Sequence, residues 1–348
     1  MTDFYNGADF AECSKGHSAK SALFYLENRL IFSFLYAIIS VTFIEWGEKM
    51  RDYFIGFMDE FGYPDEAKAV LLKTYDAMRG NKAMANVLDT AFFEYTENTI
   101  DWDKTAETVS NVAKEMDLND DTVIMVYLLC MTKHTRILYQ EKNLPYSLFK
   151  DTFKDFNYKL RECHDRTGAW GVCCYRAWFT WFFTLERFAL GRLQYEIKPF
   201  RGREPYTKHG VTLIPEETPC LNFHIPSSGP LTPESVEDSF ARAYEFYKDM
   251  HISGYIPIMT QSWLLFPEHL NMLSEKSNIV QFIKRFDLLF TDNFDGYGVP
   301  FTTIYNRTFN GDIDSYSPDN SLKRGYIELV KQNKPCGTTC GVTLYKPE

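Results

Sequence analysis

Three polar side chains recur at every second position in LGRLQYEI: Arg192, Gln194 and Glu196. Leu193, Tyr195 and Ile197 fill the alternate places, so the spacing predicts a strand with an apolar back and an Arg/Gln/Glu front. Such a front forms one wall of a polar site, or the solvated face of an edge strand. A second strand-like run, LNFHIP, sets Asn222 and His224 on one face against Leu221, Phe223 and Ile225 on the other. A histidine titrates near neutrality and can carry protons, although a single histidine is more often structural.

The elements that must position these residues fall into two groups. From Met50 to about Phe188 the signals are helical. Gly62-Tyr63-Pro64 stops one helix and starts the next, which Gly80-Asn81 closes. Asp103 to Met116 reads as a polar amphipathic helix. Asn119-Asp120-Asp121 precedes a long apolar one from Thr122 to about Gln140, and Ser147 is the cap expected for a helix running to about His164. The aromatic run Trp178, Phe179, Trp181, Phe182 and Phe183 reads as core helix.

After Gly191 the pattern changes. Short strand-like runs (192–198, 210–215 and 219–226) are punctuated by Gly and Pro. Thr232 is a good N-cap before Pro233 and a helix. A strand (255–265), a helix (267–286), a strand (299–309), a helix (320–332) and a last strand (341–346) come next. Alternation of strands and helices after an initial meander indicates an α/β layer with helices covering a mixed sheet.

The 348 residues suffice for two domains, and 45% apolar and 16% aromatic content, with 29 Phe and 22 Tyr, supply thick cores. A net charge of -10 argues against a nucleic-acid surface, which needs clustered Lys and Arg. Between Asp59 and Asp121, 15 acidic residues face 6 basic ones, a bias that reads as a solvated helical surface. The eight cysteines have neither disulfide-scaffold nor zinc spacing, which fits reduced thiols in a cytoplasmic protein. No metal pattern surrounds His251 or His269, and no HExxH, P-loop, GxSxG or dinucleotide glycine motif is present.

Residues 1–49 stand apart as an apolar extension. Leu30 to Ile44 is uncharged for fifteen residues, short of the roughly 20 that a membrane-spanning helix needs. A docked or poorly ordered apolar extension ranks above a membrane anchor, and globular patterning begins at Met50.

The elements RTGAWG, LGRLQYE, HIPSSGPLTPESVEDS, QSWLLFPE and KSNIVQFIKRF occur in an order that resembles a bacterial family of acyltransferases. That family joins an all-helical N-acyltransferase N-terminal domain to a GNAT-like C-terminal domain. The resemblance implies an α/β (α+β) chain with a helical domain over residues 50–188 and a GNAT-like mixed-sheet domain over 189–348. It further implies that an acyl thioester, from acyl-CoA or an acyl carrier protein, lies between two splayed central strands. No tightly bound cofactor is implied. The acceptor would be a small-molecule amine, and the alternative is a catalytically silent protein that keeps the scaffold to bind a small molecule or partner.

On this resemblance LNFHIP, SSGPL and the helix from Pro233 form the strand, loop and helix that receive the donor's pyrophosphate, with Ser227, Ser228 and Gly229 as contacts. The loop departs from the usual pattern: Gly229 is its one glycine, and Pro226 and Pro230 lack amide donors. N-acyl transfer needs a base, oxyanion donors and an acid for the thiolate. His224 is the base candidate, and Glu196 either orients it or acts as base itself; Glu196 could instead pair with Arg192 or another cation. Arg192, Gln194 and Asn222 are substrate-positioning candidates. Ser262 is a candidate donor to the thioester or its thiolate. Trp263 is either a channel wall or, the favoured reading, core. Tyr255, Tyr297 and Tyr305 are equivalent candidates for the acid.

Overall fold

The computed structural model describes residues 49–173 and 176–347. The apolar segment Leu30 to Ile44 lies outside the described residues. The chain divides after Tyr53 into two units, and the second, Phe54–Glu348, carries both the helical half and the sheet.

The first half of this unit is helical. Residues 54–60 belong to helix α1. They are followed by α2 (Asp65–Gly80), α3 (Lys82–Thr96), α4 (Trp102–Glu115), α5 (Asp120–Glu141) and α6 (Tyr146–Thr167). Asn119 caps α5, its side chain accepting from the Thr122 amide at 3.0 Å. Thirteen of the helix's residues are buried, including the unbroken run Thr122–Thr132, because α2, α3, α4 and α6 surround it. α6 begins one residue before the expected cap. Pro145 fixes the extended entry, so Ser147 falls inside the first turn.

The aromatic run expected as a core helix is a 3₁₀ turn (Arg176–Phe179) and one helical turn, α7 (Thr180–Phe183). Phe179, Phe182 and Phe183 are fully buried and pack against Phe153 and Phe156 of α6. Bulky rings that must reach into a shared core favour a compact connector over a long helix whose rings would point all round.

The second half is a six-stranded mixed sheet. Its strands are β1 (Arg187–Leu190), β2 (Leu193–Pro199), β5 (Pro219–His224), β6 (Ile256–Ser262), β7 (Asp287–Asn293) and β8 (Gly337–Tyr345), in spatial order β1-β2-β5-β6-β8-β7. A separate hairpin, β3 (Tyr206–Lys208) with β4 (Val211–Ile214), lies between β2 and β5 in sequence. The flanking helices are α8 (Pro233–Phe246), α9 (His269–Met272), α10 (Asn278–Ile283), α11 (Gly298–Tyr305) and α12 (Ser321–Lys331). Thr232 caps α8, accepting from the Ser235 amide at 3.2 Å with Pro233 at the first position.

In this half the strand expected over 255–265 ends at Ser262, where Trp263–Leu265 form a 3₁₀ turn, and two further regions differ from the sequence expectation. Residues 299–309, read as a strand from their β-branched and aromatic content, are largely helix α11, whose Phe301 is buried against Phe309, Tyr316 and Tyr326. The strand lies earlier, at β7, where a single long helix over 267–286 gives way to the short α9 and α10. Tertiary packing overrides local propensity in both.

The sheet has two differently covered faces. Leu193, Tyr195, Leu221 and Phe223 face α8 and α10: the Tyr195 hydroxyl meets Ser239 Oγ at 2.9 Å, and the Phe223 ring packs against Phe240, Phe282 and Phe286. Ile197 is half-exposed beyond that cover. On the other face Cys220, Met259 and Val342 form a core with Phe200, just past β2, and with Tyr206 and Ile214 of the β3–β4 hairpin. Next to it, Gln194, Glu196, Asn222 and His224 lie beneath α6 and Trp178.

Candidate active site

β1 and β2 form a hairpin with a two-residue turn, Gly191-Arg192, since Leu190 pairs with Leu193. Gly191 has φ of +73°, the left-handed region that favours glycine, and a Cβ there would crowd Ser239 Cα at 3.3 Å. The register places Arg187 directly across from Glu196, Glu196 across from Asn222, and Gln194 across from His224. Directly opposite and diagonal side chains on one face are within reach of each other.

Glu196 is the centre of the resulting network. Its Oε2 accepts from Arg187 Nη2 at 2.6 Å and Nε at 3.1 Å. Its Oε1 accepts from Asn222 Nδ2 at 3.0 Å and lies 3.0 Å from His224 Nε2. Arg187 is fully buried; it also donates to the Trp178 carbonyl at 3.1 Å and lies 4.2 and 4.3 Å from the centroids of Trp178 and Trp181. The Trp178 indole stands edge-on to the imidazole at 4.7 Å and is tethered by Nε1 to Asp155 Oδ2 at 3.1 Å. α6 therefore fixes the roof over the histidine.

Charge states follow from these contacts. Burial alone would raise the Glu196 carboxyl, but the His224 hydrogen bond and the Arg187 charge reverse this and hold it at about 2. His224 moves below its usual 6.5, chiefly through burial, helped by Arg187 and Lys198 and opposed by Glu196. At neutral pH the pair is thus carboxylate and neutral imidazole. An ionised carboxylate only accepts, so Nε2 carries the proton and the Nδ1 lone pair remains for chemistry. The His224 side chain is 26% exposed, enough for solvent or substrate to reach it. His269 is the contrast. It is buried between the Leu264 carbonyl and the Tyr326 hydroxyl, with its pKa pushed by burial down to about 4, and serves as core.

The two central strands part beside this histidine. β5 and β6 are parallel and pair at Leu221 with Ile258 and at Asn222 with Met259, and no further. Each continues on its outer side: β5 pairs with β2 to His224, and β6 with β8 to Ser262. Where the ladder stops, the Thr260 hydroxyl donates to the Phe223 carbonyl at 2.9 Å, satisfying a group the missing rung leaves open.

The remaining candidates take other places. Arg192 makes no contact with Glu196. Its guanidinium binds three carbonyls of the following loop, Pro226 at 2.8 Å, Gly229 at 2.5 Å and Pro230 at 3.2 Å. In a trans peptide the N–H opposes the C=O, so this clamp turns the Ser227 and Leu231 amides away from Arg192. Ser227 is hydrogen-bonded to Glu162 of α6, while Ser228 and Gly229 are exposed. Gln194 is buried, and its Oε1 has no partner among the described residues. Ser262 shares the face of Ile258 and Thr260, across the sheet from His224, and its Oγ accepts from the Leu264 amide at 3.2 Å. Trp263 packs against His269 and Tyr326 as part of a core. The Tyr297 and Tyr305 hydroxyls donate to the Lys334 and Ser317 carbonyls, and Tyr255 is exposed.

Sequence reasoning missed Arg187 as the partner of Glu196. Reading Gly191-Arg192 as a two-residue hairpin turn would have found it, because residue 187 then falls opposite 196. It also took Trp178 only as core. A cavity of about 570 Å³ lies elsewhere, between the start of α6, the β1–β2 turn and α8, and no member of the Glu196–His224 network lines it. No cluster of metal-ligating side chains occurs among the described residues, and none of their helices is long and apolar enough to cross a membrane.

Two family models match the chain: the N-acyltransferase N-terminal domain over residues 53–185 and the GNAT-like C-terminal domain over residues 188–343. No curated protein matches it. Among similar solved structures is an acyltransferase in complex with decanoyl-CoA, with TM-score 0.61 and 18% identity over 82% of this chain and 86% of that one. Another is an acyltransferase in complex with decanoyl-CoA and teicoplanin, with TM-score 0.60 and 17% identity over 83% and 86%. A third is an acyltransferase mutant in complex with octanoyl-CoA, with TM-score 0.60 and 17% identity over 85% and 88%. At these identities the likeness is one of fold, and it spans both halves of the molecule. Helices first, then a mixed sheet parted at its centre, and both domain models in that order: the chain belongs to the family that joins an N-acyltransferase N-terminal domain to a GNAT-like C-terminal domain.

Proposed function

We propose that the chain moves an acyl group from acyl-CoA to the nitrogen of a small-molecule amine. The observation that carries this reading is the parting of β5 from β6 beside a neutral, solvent-reachable His224 whose Nε2 is engaged by the Glu196 carboxylate. The thioester lies in the parted region. The donor's pyrophosphate lies on the loop Pro226–Leu231, where Ser227, Ser228 and Gly229 offer amides. The fold neighbours that hold decanoyl-CoA and octanoyl-CoA support a coenzyme A donor over an acyl carrier protein, and the teicoplanin in one supports a small-molecule acceptor.

In this reading the amine nitrogen attacks the thioester carbonyl, and the C–N bond forms as the carbonyl π electrons move to oxygen. His224 Nδ1 takes a proton from the attacking nitrogen while Glu196 steadies the imidazolium through Nε2. Collapse of the tetrahedral intermediate breaks the C–S bond, and the imidazolium returns the proton to the departing thiolate. The products are an amide and free coenzyme A, with no redox change.

Incubation with decanoyl-CoA and a panel of primary amines should release thiol together with N-acyl product. His224→Ala should lower that rate by about 10²–10⁴-fold while decanoyl-CoA binding stays unchanged. Full turnover in the variant, or bound decanoyl-CoA with no thiol release across the panel, would overturn the reading.

A further inference from the structure

Resting on the acyl-transfer reading, we infer that Lys159 of α6 binds the donor's pyrophosphate, and that the Glu162 carboxylate holds that place until the donor arrives. Asp155, Lys159 and Glu162 stand at i, i+4 and i+7 of α6, on the face that the helix turns to the site. Asp155 tethers Trp178, and Glu162 reaches the loop after β5, where the Ser227 hydroxyl donates to its Oε1. Lys159 Nζ donates to the same oxygen at 3.2 Å and to Oε2 at 2.9 Å. One carboxylate oxygen thus joins the ammonium to the loop hydroxyl, which lie at most about 6.5 Å apart, the span of two hydrogen bonds.

The loop has no cation of its own. Residues 226–232, PSSGPLT, contain no Lys or Arg, and the first turn of α8 carries Glu234. Arg192 is turned to three loop carbonyls, and Arg285 is held by Glu237 and the Pro233 carbonyl. A pyrophosphate bound on loop amides alone would meet the Glu234 charge uncompensated. Lys159 supplies the compensating charge from the helical half. Carboxylate and phosphate oxygens accept from the same donors at similar lengths. The Ser227–Glu162–Lys159 bridge therefore marks an anion position that the chain fills with its own side chain.

Glu162 is suited to give way. The Lys159 and Glu162 side chains are 17% and 27% exposed, and a helix-surface pair of that kind is weak. When the donor enters, its like charge drives the carboxylate out toward solvent, and the hydroxyl and ammonium pass to the phosphate. No covalent bond changes. The exchange makes donor affinity a competition, so Lys159 and Glu162 act in opposite directions on the same ligand group.

The test is equilibrium binding to the full chain of decanoyl-CoA, decanoyl-dephospho-CoA and decanoyl-pantetheine. They share the acyl chain and pantetheine; the second lacks only the ribose phosphate, and the third lacks the pyrophosphate as well. Lys159→Ala should weaken the first two about tenfold and leave decanoyl-pantetheine unchanged, with Lys159→Arg restoring most of the loss. Glu162→Gln should tighten the first two up to about fivefold, again without effect on the third. An undiminished affinity in Lys159→Ala, a loss shared by decanoyl-pantetheine or confined to decanoyl-CoA, or a Glu162→Gln variant that binds decanoyl-CoA more weakly would overturn the inference. Wild-type protein that binds decanoyl-CoA but releases no thiol with any amine would instead overturn the acyl-transfer reading, while the three affinities still decide the role of Lys159.

Discussion

Replacing Glu196 by Gln keeps the size of the side chain and removes its charge, and the surrounding contacts determine the consequences. Arg187 is fully buried and donates twice to Oε2, so the new amide must turn its oxygen toward the guanidinium and its NH₂ toward His224 Nε2 and Asn222 Nδ2. Two donors then meet at the Asn222 side, and the imidazole is driven to the opposite tautomer, with Nδ1 protonated. The base loses its lone pair on the reacting side. A wrong-tautomer site of this kind should lose about 10²–10⁴-fold in kcat. Leaving Arg187 buried without its counter-charge costs about 3–5 kcal/mol. A second route gives a similar size: holding a carboxyl at about 2 rather than 4.5 corresponds to about 3 kcal/mol at neutral pH.

Urea titration with thiol-release kinetics on the same preparations would check both figures. The pH dependence supplies the internal control. Glu196 has a depressed folded pKa, so its contribution is complete above about 4.5 and is lost as pH falls toward about 2. The stability gap between wild type and Glu196→Gln should therefore shrink through that window and hold steady above it. A variant with wild-type kcat, or a gap that does not change between pH 7 and pH 3, would refute the reasoning.

The same contacts lead to three further outcomes. With kcat/KM expressed per neutral amine, its acid limb should fall below pH 6.5, because burial pulls His224 under its ordinary value; a limb above 7 on that scale would place the base elsewhere. Arg192→Ala should raise the KM for decanoyl-CoA about tenfold with kcat little changed, since three loop carbonyls lose their donor; Arg192→Lys should restore only part, because an ammonium cannot span them as the planar fork does. Thr260→Val should cost about 1–3 kcal/mol in urea titration by leaving the Phe223 carbonyl unsatisfied where the ladder ends.

Much of this arrangement was legible in the sequence because strand periodicity is a strict code. The Arg/Gln/Glu alternation and the Asn222/His224 pair each gave a face, and one register joins them. The capped helices α5 and α8 were equally readable, since Asn119 and Thr232 act through bonds three residues long. The hidden part depends on contacts far apart in the chain. Arg192 belongs to the polar alternation, yet as a turn residue it is carried out of the strand and toward residues 226–230. Ser262 does lie on the second central strand, but the parity that puts it across the sheet from His224 is set by which residue of β6 meets Asn222. Helix α11 carries a strand-like composition because its aromatic rings fill a core that residues 316–336 build later.

The same distance between sequence and site explains why two domains are needed. The sheet alone supplies Glu196, Asn222 and His224, but side chains on an uncovered strand face would be solvated, with an ordinary carboxylate and an ordinary imidazole. Desolvation is the largest influence on His224, and the ring set edge-on against it, Trp178, belongs to the connector and is tethered to Asp155 of α6. Arg187, which lowers Glu196, is itself kept dry by Trp178 and Trp181. The sheet thus places the proposed acid–base pair, and the helical cover sets which protons it holds.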